Sequence, residues 1–346
     1  MKKVIFLSVI ALAAAVSCSK SEVVDTKFES EAIGFDTYLG RDAQTKATET
    51  TAANLAEFGV YGYYTAGKTY TEAAPATANL MNNVKVTKSG SAWTYSPARY
   101  WTNDTDKYTF FAYAPYSEDN NGGSPVIKYT VKGDLADQED VIYSVNNRNV
   151  TKTSCKQTDG TYVPFEFKHA LSRIAVRAKA VMYDKNGAVA TDQTTEFDHT
   201  FTITDITLQG KFATSGTMDL SAENPSWTST KAATTYDMTA TAGQELTGKD
   251  FNFSTDNYLM VLPTDFSAKN EEGVFTNTAT LTVKYKITYA DATSDEITKT
   301  LPINTNFEQG KAYTINLTLQ RNEDNAIIFN VSSVDGWNTE NEITVS

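Results

Sequence analysis

Residues 281–289, LTVKYKITY, alternate strictly between apolar and polar side chains. Leu281, Val283 and Tyr285 lie on one side of this pattern, and threonines and lysines lie on the other. Because successive side chains of a β-strand point to opposite faces of a sheet, the pattern predicts a strand with one buried face and one face in water. The same alternation predicts strands at 127–131, 141–145, 174–178 and 313–319.

Two details refine this prediction of β structure. Between Phe201 and Leu208 the alternation slips by one residue at Asp205, which indicates a β-bulge. Asn186-Gly187 lies between apolar segments and predicts a hairpin turn. Helical periodicity is scarce, and a parallel α/β sheet would need helical crossovers. We therefore predict an all-β chain built from antiparallel β-sandwiches.

The length of the chain predicts two such domains. A sequence of 346 residues holds two units once a leader is set aside, at about 150 residues per domain. We assign residues 1–17 to the leader, 18–160 to an N-terminal sandwich and 161–346 to a C-terminal sandwich. The junction falls in the polar stretch 146–161, which could instead be a long hairpin loop.

The leader, MKKVIFLSVIALAAAVSC in residues 1–18, has the pattern of a lipoprotein export signal. Two lysines precede an apolar run that is too short to cross a bilayer, and small residues precede Cys18. We predict that Cys18 becomes the acylated first residue of the mature chain. Acyl chains would hold it on a membrane, at about 0.8 kcal/mol per buried CH2. A buried N-terminal helix or an ordinary secretory signal is the alternative.

Composition and residue types argue against several functions. With 42 acidic and 30 basic residues the net charge is −12, so binding to nucleic acid through phosphates is disfavoured. If Cys18 carries lipid, Cys155 has no partner for a disulfide or a cysteine metal cluster. The two histidines, His169 and His199, lie in no catalytic or zinc motif, and we interpret both as structural. We therefore predict no catalytic residues, no metal site and no cofactor.

The densest aromatic group lies within residues 93–113 and permits two interpretations. One is a platform on which sugars stack, and the other is core packing between sheets, which we favour because aromatic residues pair across strands. The members of the group are Trp93, Tyr95, Tyr100, Trp101, Tyr108, Phe110, Phe111 and Tyr113.

An ordered series of segments carries a resemblance to a known family. After the leader these are IGFDTYLGRDAQTKAT (33–48), ARYWTNDTDKYTFFAYAPY (98–116), DQEDVIYS (137–144), FEFKHALSRIAVRAKA (165–180), FEQGKAYTINLTL (307–319) and IIFNVSSVDGW (327–337). With them the chain resembles the fimbrillin-like, or type V, pilins of Bacteroidia-type Gram-negative bacteria. The resemblance implies two transthyretin-like β-sandwiches, export as an outer-membrane lipoprotein precursor, and polymerisation with other pilin subunits into a cell-surface fimbrium that contributes to adhesion.

The resemblance also implies how subunits join. In the family, an arginine-specific or trypsin-like protease removes the first strand of the N-terminal domain, and C-terminal strands of a neighbour fill the vacated groove by strand addition. Carried onto this chain, the removed strand is 32–39, with Ile33, Phe35 and Leu39 on one face. Cleavage would follow Arg41, or Lys46, where many relatives carry an arginine.

The donor strand in this scheme comes from the C-terminal segment. Its apolar residues are Ile327, Phe329, Val331, Val334, Ile343 and Val345. One alternative is that these strands complete their own C-terminal sandwich. The alternative function is a monomeric, lipid-anchored surface protein that binds a glycan or a host ligand, and a glycoside-active enzyme is a third reading.

Overall fold

The computed structural model describes residues 31–38, 50, 54–158, 160–184, 186–189, 198–239, 243–254, 258–320 and 327–335, the last of these as backbone. Within these residues the strands are, in chain order, β1 (Gly34–Tyr38), β2 (Glu57–Ala66), β3 (Met81–Ser89), β4 (Ala92–Thr94), β5 (Lys107–Ala114), β6 (Val126–Thr130), β7 (Ile142–Val150), β8 (Tyr162–Glu166), β9 (Lys168–His169), β10 (Ser172–Ala180), β11 (His199–Asp219), β12 (Trp227–Asp237), β13 (Gln244–Leu246), β14 (Phe251–Asn252), β15 (Leu259–Val261), β16 (Thr264–Asp265), β17 (Ala279–Tyr289), β18 (Ser294–Ile303), β19 (Asn306–Phe307), β20 (Lys311–Leu319) and β21 (Ile327–Asp335). Helical structure in the same residues consists of α1 (Tyr70–Ala73) and the 3-10 turns Glu118–Asn120, Leu135–Asp137 and Thr153–Cys155.

The N-terminal half is a sandwich of unequal layers. Its larger layer, within the described residues, is an antiparallel sheet in the order β4-β3-β2-β5-β7-β9. The smaller layer is β1 paired with β8. Buried side chains of both layers form the N-terminal core, which comprises Ile33, Phe35, Leu55, Phe58, Val60, Met81, Val86, Trp101, Tyr108, Phe110, Ala112, Ala114, Ile142, Cys155, Val163, Phe165 and Phe167.

The C-terminal half has two larger sheets. One runs β14-β10-β20-β21, with β15 also on β10, and the other runs β12-β11-β17-β18, with β13 and β6 also on β11. Two short strands, β16 and β19, pair antiparallel with each other in a further small sheet. Alternate residues of β10, β11, β17 and β20 fill the space between the sheets, for example Val176, Leu208, Val283 and Ile315, each fully buried.

A third core joins the two halves. It combines Tyr61 and Tyr113 of the N-terminal sheet with Met260 and Leu262 of the C-terminal half. Strand β6 adds to this junction, because it follows β5 in sequence yet pairs with residues 215–219 of β11. The halves therefore share both a core and a sheet.

The periodicity predictions are confirmed. The five predicted strands correspond to β6, β7, β10, β17 and β20, although β6 ends at Thr130 and β7 begins at Ile142, one residue inside the predicted ranges. The register of β11 against β17 shifts between Ile203 and Asp205, as the predicted bulge requires. At the predicted hairpin, Gly187 has φ 79° and donates its N–H to the Asp184 carbonyl at 2.9 Å.

The aromatic group is core, as favoured. Trp101, Tyr108, Phe110, Phe111 and Tyr113 are all buried. Trp93 and Tyr95 pack against the N-terminal core while partly exposed. Tyr100 is the exception at 50% exposure, while the next residue, Trp101, is buried.

The prediction of purely antiparallel sandwiches is wrong at two places. Strands β1 and β8 are parallel, and so are β10 and β20. In each case other strands of the sandwich intervene in sequence, so no short hairpin forces the two strands to run in opposite directions.

The described strands also indicate where the boundary between the two halves lies. The polar stretch 146–161 is strand as far as Val150, and β8 and β9 still belong to the N-terminal half. The change from one half to the other falls between His169 and Ser172. We now propose the boundary there, rather than at residue 160.

Candidate functional site

Strand β1 is held on both ends by backbone hydrogen bonds. Its register with β8 runs from Gly34 opposite Tyr162 to Tyr38 opposite Glu166. Just before it, the Ile33 N–H donates to the Arg99 carbonyl at 2.8 Å. The strand therefore completes a layer whose other members, β8 and the segment at residues 99–101, lie far away in sequence.

The side chain of Phe35 fills a cage of aromatic rings. Ring centroids lie 5.4 Å away for Phe165, which is stacked, and 5.3 Å away for Tyr95. Phe110 and Phe58 close the cage edge-on at 6.0 and 6.3 Å. Phe35 is 4% exposed, so its ring fills the space between these aromatic side chains of the N-terminal core.

Ile33 packs into the same core as Phe35. It is 1% exposed, and its carbonyl accepts a hydrogen bond from the Tyr95 hydroxyl at 2.8 Å. Ile33 and Phe35 thus share the inward face, while Asp36 and Tyr38 are exposed. Leu39, the third residue assigned to this face, lies outside the described residues.

Strand β8 would stay in place if β1 were removed. The side-chain amides of Asn146 and Asn147 on β7 donate to the Pro164 carbonyl at 2.9 and 2.7 Å. Val163 and Phe165 are fully buried in the core. Removal of β1 would therefore leave β8 with one edge of unpaired backbone groups beside an open aromatic cage, which is a template for another strand.

Buried Asp140 anchors the chain on the far side of the predicted cleavage region. Its carboxylate Oδ2 accepts a hydrogen bond from the Thr50 N–H at 3.1 Å and lies 2.7 Å from His169 Nδ1. The Asp140 side chain is 0% exposed, and its Oδ1 has no hydrogen-bond partner. Thr50 directly follows residues 39–49, so this contact fixes where that segment rejoins the N-terminal half.

The C-terminal strand lies at the edge of its own sheet. Strand β21 pairs antiparallel with β20, from Ile327 opposite Leu319 to Asp335 opposite Lys311. Position 329 is opposite Leu317 and position 331 is opposite Ile315, and both partners are buried. This pairing agrees with the alternative prediction that the C-terminal strands complete their own sandwich. Strand exchange with a neighbour would therefore require β21 to separate from β20.

The two histidines have structural surroundings. His169 is fixed by Asp140, and buried His199 contacts Asp198 and packs its ring against Phe201 at 5.0 Å. The interpretation of both as structural residues is supported by these contacts. Among the described residues there is no group of three or more His, Cys, Asp or Glu side chains arranged to hold a metal ion.

Cys155 is buried within the N-terminal core. Burial raises the pKa of its thiol to about 11, so the reactive thiolate is disfavoured at neutral pH. Within the described residues it forms no disulfide. No helix in that part of the chain is long and apolar enough to cross a membrane.

Several residues of the predicted site lie outside the described residues. Cys18, Arg41, Lys46, Ile343 and Val345 lie outside the described residues. For Ile327, Phe329, Val331 and Val334 the backbone of β21 is described. No sequence pattern marked Asp140 or the hydroxyl of Tyr95, because a single acid or tyrosine between strands looks like any surface residue.

Comparison with known proteins identifies the family. Residues 45–337 match the Fimbrillin-like family. The chain is 32% identical over 190 residues to the fimbrium subunit Fim1C of Phocaeicola vulgatus, a match that covers 49% of this chain and 49% of the relative. The match therefore spans about half the length of that curated relative.

Solved structures share the fold. A fimbrial protein from Bacteroides vulgatus superposes with a TM-score of 0.67 at 22% identity, over 88% of this chain and 99% of that one. A candidate cell adhesion protein from Bacteroides ovatus superposes with a TM-score of 0.51 at 17% identity, over 90% and 99%. The family match covers most of the sequence, and this chain belongs to the Fimbrillin-like family of fimbrial proteins, a family that is structural rather than enzymatic.

Proposed function

We propose that this chain is a structural subunit of a cell-surface fimbrium that polymerises by protease-triggered strand exchange and contributes to adhesion. One observation carries the proposal: β1 is a five-residue strand in a two-stranded layer, and its inward side chains plug an aromatic cage. Membership of the Fimbrillin-like family supports the fimbrial part of the proposal.

The groove that β1 would leave behind favours the binding of another strand. Ile33 and Phe35 are both nearly fully buried, and burying such a side chain contributes about 1.5–3 kcal/mol. Loss of β1 also leaves the inner edge of β8 without backbone partners. A strand from another copy that supplies apolar side chains at the same spacing restores both contributions, which is the physical basis of strand addition.

The proposal includes the processing and location of the precursor. Cys18 would carry palmitate-type acyl chains that hold the subunit at the outer membrane. A trypsin-like or arginine-specific protease would cut after Arg41 or Lys46, between β1 and the anchored Thr50. The partners would then be other subunits, in a homopolymer or a mixed fimbrium.

Limited trypsin treatment of the purified mature protein tests this function. We expect a cut after Arg41 or Lys46, followed by ladders of multimers that resist mild denaturation. The matched control is the double variant Arg41→Gln/Lys46→Gln, which should stay uncut in this segment and monomeric. A wild-type chain that is cut there and still runs as a monomer by size exclusion contradicts the proposal.

A second candidate function is a monomeric, lipid-anchored surface protein that binds a glycan or a host ligand. It is favoured by the pairing of β21 with β20 along the whole of its length, which leaves the C-terminal sandwich complete within one chain. Under this alternative the cut protein would lose β1 and gain no partner strand.

A further inference from the structure

A groove of about 690 Å³ lies beside strand β6, where that strand leaves the N-terminal half to pair with β11. Sites for small molecules have volumes of about 300–1,000 Å³, so the groove has the size of a binding site. Its lining includes buried Tyr113, Ile127 and Val141 and half-buried Tyr116 and Tyr129. The groove therefore combines apolar surface with aromatic rings that solvent reaches.

The groove lies on the face of the N-terminal sheet that points away from β1. On strand β5, Phe110 packs with Phe35 in the N-terminal core. Tyr113 of the same strand lines the groove and belongs to the core between the two halves. Side chains an odd number of residues apart on a strand point to opposite faces of its sheet. The groove is thus separate from the site of strand exchange, and it remains when β1 is removed.

Buried amide side chains hold the wall of the groove in place. The Asn83 amide donates to the Ser117 carbonyl at 2.8 Å, and its oxygen accepts the Tyr113 hydroxyl at 2.7 Å. Asn120 ties the same loop to β6, because its side-chain oxygen accepts the Lys128 N–H at 2.9 Å. Asn83 and Asn120 are 4% and 3% exposed. A site that is already ordered loses little conformational entropy when a ligand binds.

The charges that line the groove balance, in a chain whose net charge is −12. Two carboxylates and two ammonium groups on exposed residues line it, namely Asp119, Glu139, Lys128 and Lys132. The Glu57 carboxylate also lines the groove and is paired with Lys85, whose Nζ lies 2.7 Å from its Oε2. A balanced site does not select an ion, whereas its carboxylates accept hydrogen bonds from hydroxyl groups and its ammonium groups donate to them. The lining therefore favours a neutral ligand rich in hydroxyl groups.

The two half-buried tyrosines add surface on which a sugar ring can stack. Lys85 Nζ lies 5.1 Å from the centre of the Tyr116 ring, so a ligand that stacks on Tyr116 meets the opposite face. The Tyr129 ring is fixed by its hydroxyl, which donates to the Glu139 carbonyl at 3.0 Å. The C–H groups on one face of a sugar pack against an aromatic ring, while the hydroxyl groups at its edge bond to polar side chains.

We infer that this groove binds a neutral oligosaccharide, with Tyr116 as the stacking ring and Asp119 and Glu139 as acceptors for sugar hydroxyl groups. Past Glu57, Pro115 and Glu139 the groove continues into a second hollow of about 420 Å³, which these three residues also line, so it fits a chain of sugars better than a single ring. The inference names a ligand class for the adhesion part of the proposed function, on which it rests, and it does not depend on strand exchange.

A glycan array tests the ligand class. The purified mature protein, uncut, is applied to neutral oligosaccharides of glucose, galactose, mannose and N-acetylglucosamine, and to sialylated and sulfated oligosaccharides. We expect binding to at least one neutral member. Raising the ionic strength from about 0.05 M to about 0.5 M should change this binding less than about twofold, because salt screens only interactions between charges. Binding to charged members alone, or to no member, overturns the inference.

Substitutions at one tyrosine locate the site. For the neutral oligosaccharide that binds tightest, Tyr116→Ala should weaken binding about tenfold in calorimetric titration, whereas Tyr116→Phe keeps the ring and should stay within about threefold. The matched control is Tyr100→Ala, which removes another exposed tyrosine outside the groove and should bind like the unaltered chain. Full binding by Tyr116→Ala, or an equal loss in Tyr100→Ala, would show that the sugar binds elsewhere.

A second variant keeps the test independent of folding. Asp119→Asn/Glu139→Gln changes two exposed side chains without changing their size, and should weaken binding about fivefold because carboxylates are stronger acceptors than amides. Lys128→Gln/Lys132→Gln should have a smaller effect on a neutral ligand. A larger loss from the lysine variant than from the acid variant would indicate an anionic ligand and overturn the inference.

The outcome for strand exchange is read separately, from the ladders that form after trypsin treatment. Tyr116→Ala should form ladders as the unaltered chain does, because the groove lies on the face away from β1. Ladders from an unaltered chain that binds no neutral oligosaccharide overturn the inference and leave strand exchange standing. Sugar binding by an unaltered chain that forms no ladders supports the groove and overturns strand exchange.

Discussion

At the scale of single residues, Asp140 is a buried side chain beside the predicted cleavage region that no sequence pattern marks. Its buried carboxylate receives the Thr50 N–H and faces His169. A buried carboxylate with one unpartnered oxygen persists only where its other contacts offset the desolvation of the charge. Asp140 therefore fixes two elements at once.

The variant Asp140→Ala should be strongly destabilised. It leaves the Thr50 N–H and His169 without their acceptor, and we expect a loss of about 1–3 kcal/mol in the free energy of unfolding. Urea denaturation measures it. Asp137→Asn, an exposed acid three residues away, is the control and should change stability little. Equal stability of the two variants would contradict the anchoring role of Asp140.

Buried tyrosines predict a loss of stability at alkaline pH. Burial raises the pKa of Tyr236 and Tyr285 to about 12, against about 10 in an unfolded chain. The fold therefore favours their neutral form, so their contribution to stability is complete below about pH 10 and is lost as pH rises through about 12. Tyrosinate absorbance should rise together with the loss of circular dichroism. Full ionisation near pH 10 with the fold intact would contradict this prediction.

At the scale of elements, the exchange proposal depends on whether β21 can leave β20. Thr314 and Ser332 are directly opposed in this pair. Cα atoms at opposed positions of antiparallel strands are about 4.5–5.5 Å apart, which a disulfide can span.

The double variant Thr314→Cys/Ser332→Cys should therefore be a reversible lock. Once oxidised, it should be cut by trypsin and form no ladders, because β21 cannot reach a neighbour. Reduction should restore the ladders, and Thr314→Cys alone should behave as the unaltered chain in both states. Ladders from the fully oxidised variant would show that β21 is not the donor.

Periodicity predicted which residues face inward but not which strands are neighbours. The strand at 281–289 and the bulge at Asp205 follow from alternation alone. The parallel pairing of β1 with β8 does not, because a period of two specifies a face and leaves the partner open.

The amino-acid composition of residues 146–150 also led to a wrong prediction for the end of β7. Residues 146–150 look like a loop because they are rich in asparagine, yet they continue β7. The side-chain amides of Asn146 and Asn147 act there as bridges to the backbone of β8. The apolar residues of the candidate site could be predicted from the sequence. The polar side chains that hold β8 in place could not, because their role depends on tertiary contacts.

At the scale of the whole molecule, Arg148 joins the two halves. Its guanidinium donates to the carbonyls of Ser221 and Ala222 at 2.8 and 2.9 Å, and lies 4.8 Å from the centre of the Phe111 ring. Trp227 adds a bond from its indole N–H to the Ala170 carbonyl at 2.7 Å. The halves are thus joined by side-chain hydrogen bonds as well as by their shared core.

The variant Arg148→Met should weaken this junction. Loss of hydrogen bonds from a charged donor to partly buried carbonyls should cost about 1.5–3 kcal/mol of unfolding free energy. Chemical denaturation provides the measurement. The control Lys179→Met removes a cation whose contact with Asp250 is largely exposed, and should have little effect. An equal loss in both variants would indicate a general effect of removing positive charge.

The sharing of β6 has a mechanical consequence. Residues 126–130 leave the N-terminal half and bond to residues 215–219 through five opposed pairs. When the two halves are pulled apart, a strand that lies in the other half's sheet is loaded across several backbone hydrogen bonds together. In the fimbrium that we propose, traction would then pass through each subunit as through a rigid link, and elongation would be confined to the joints between subunits.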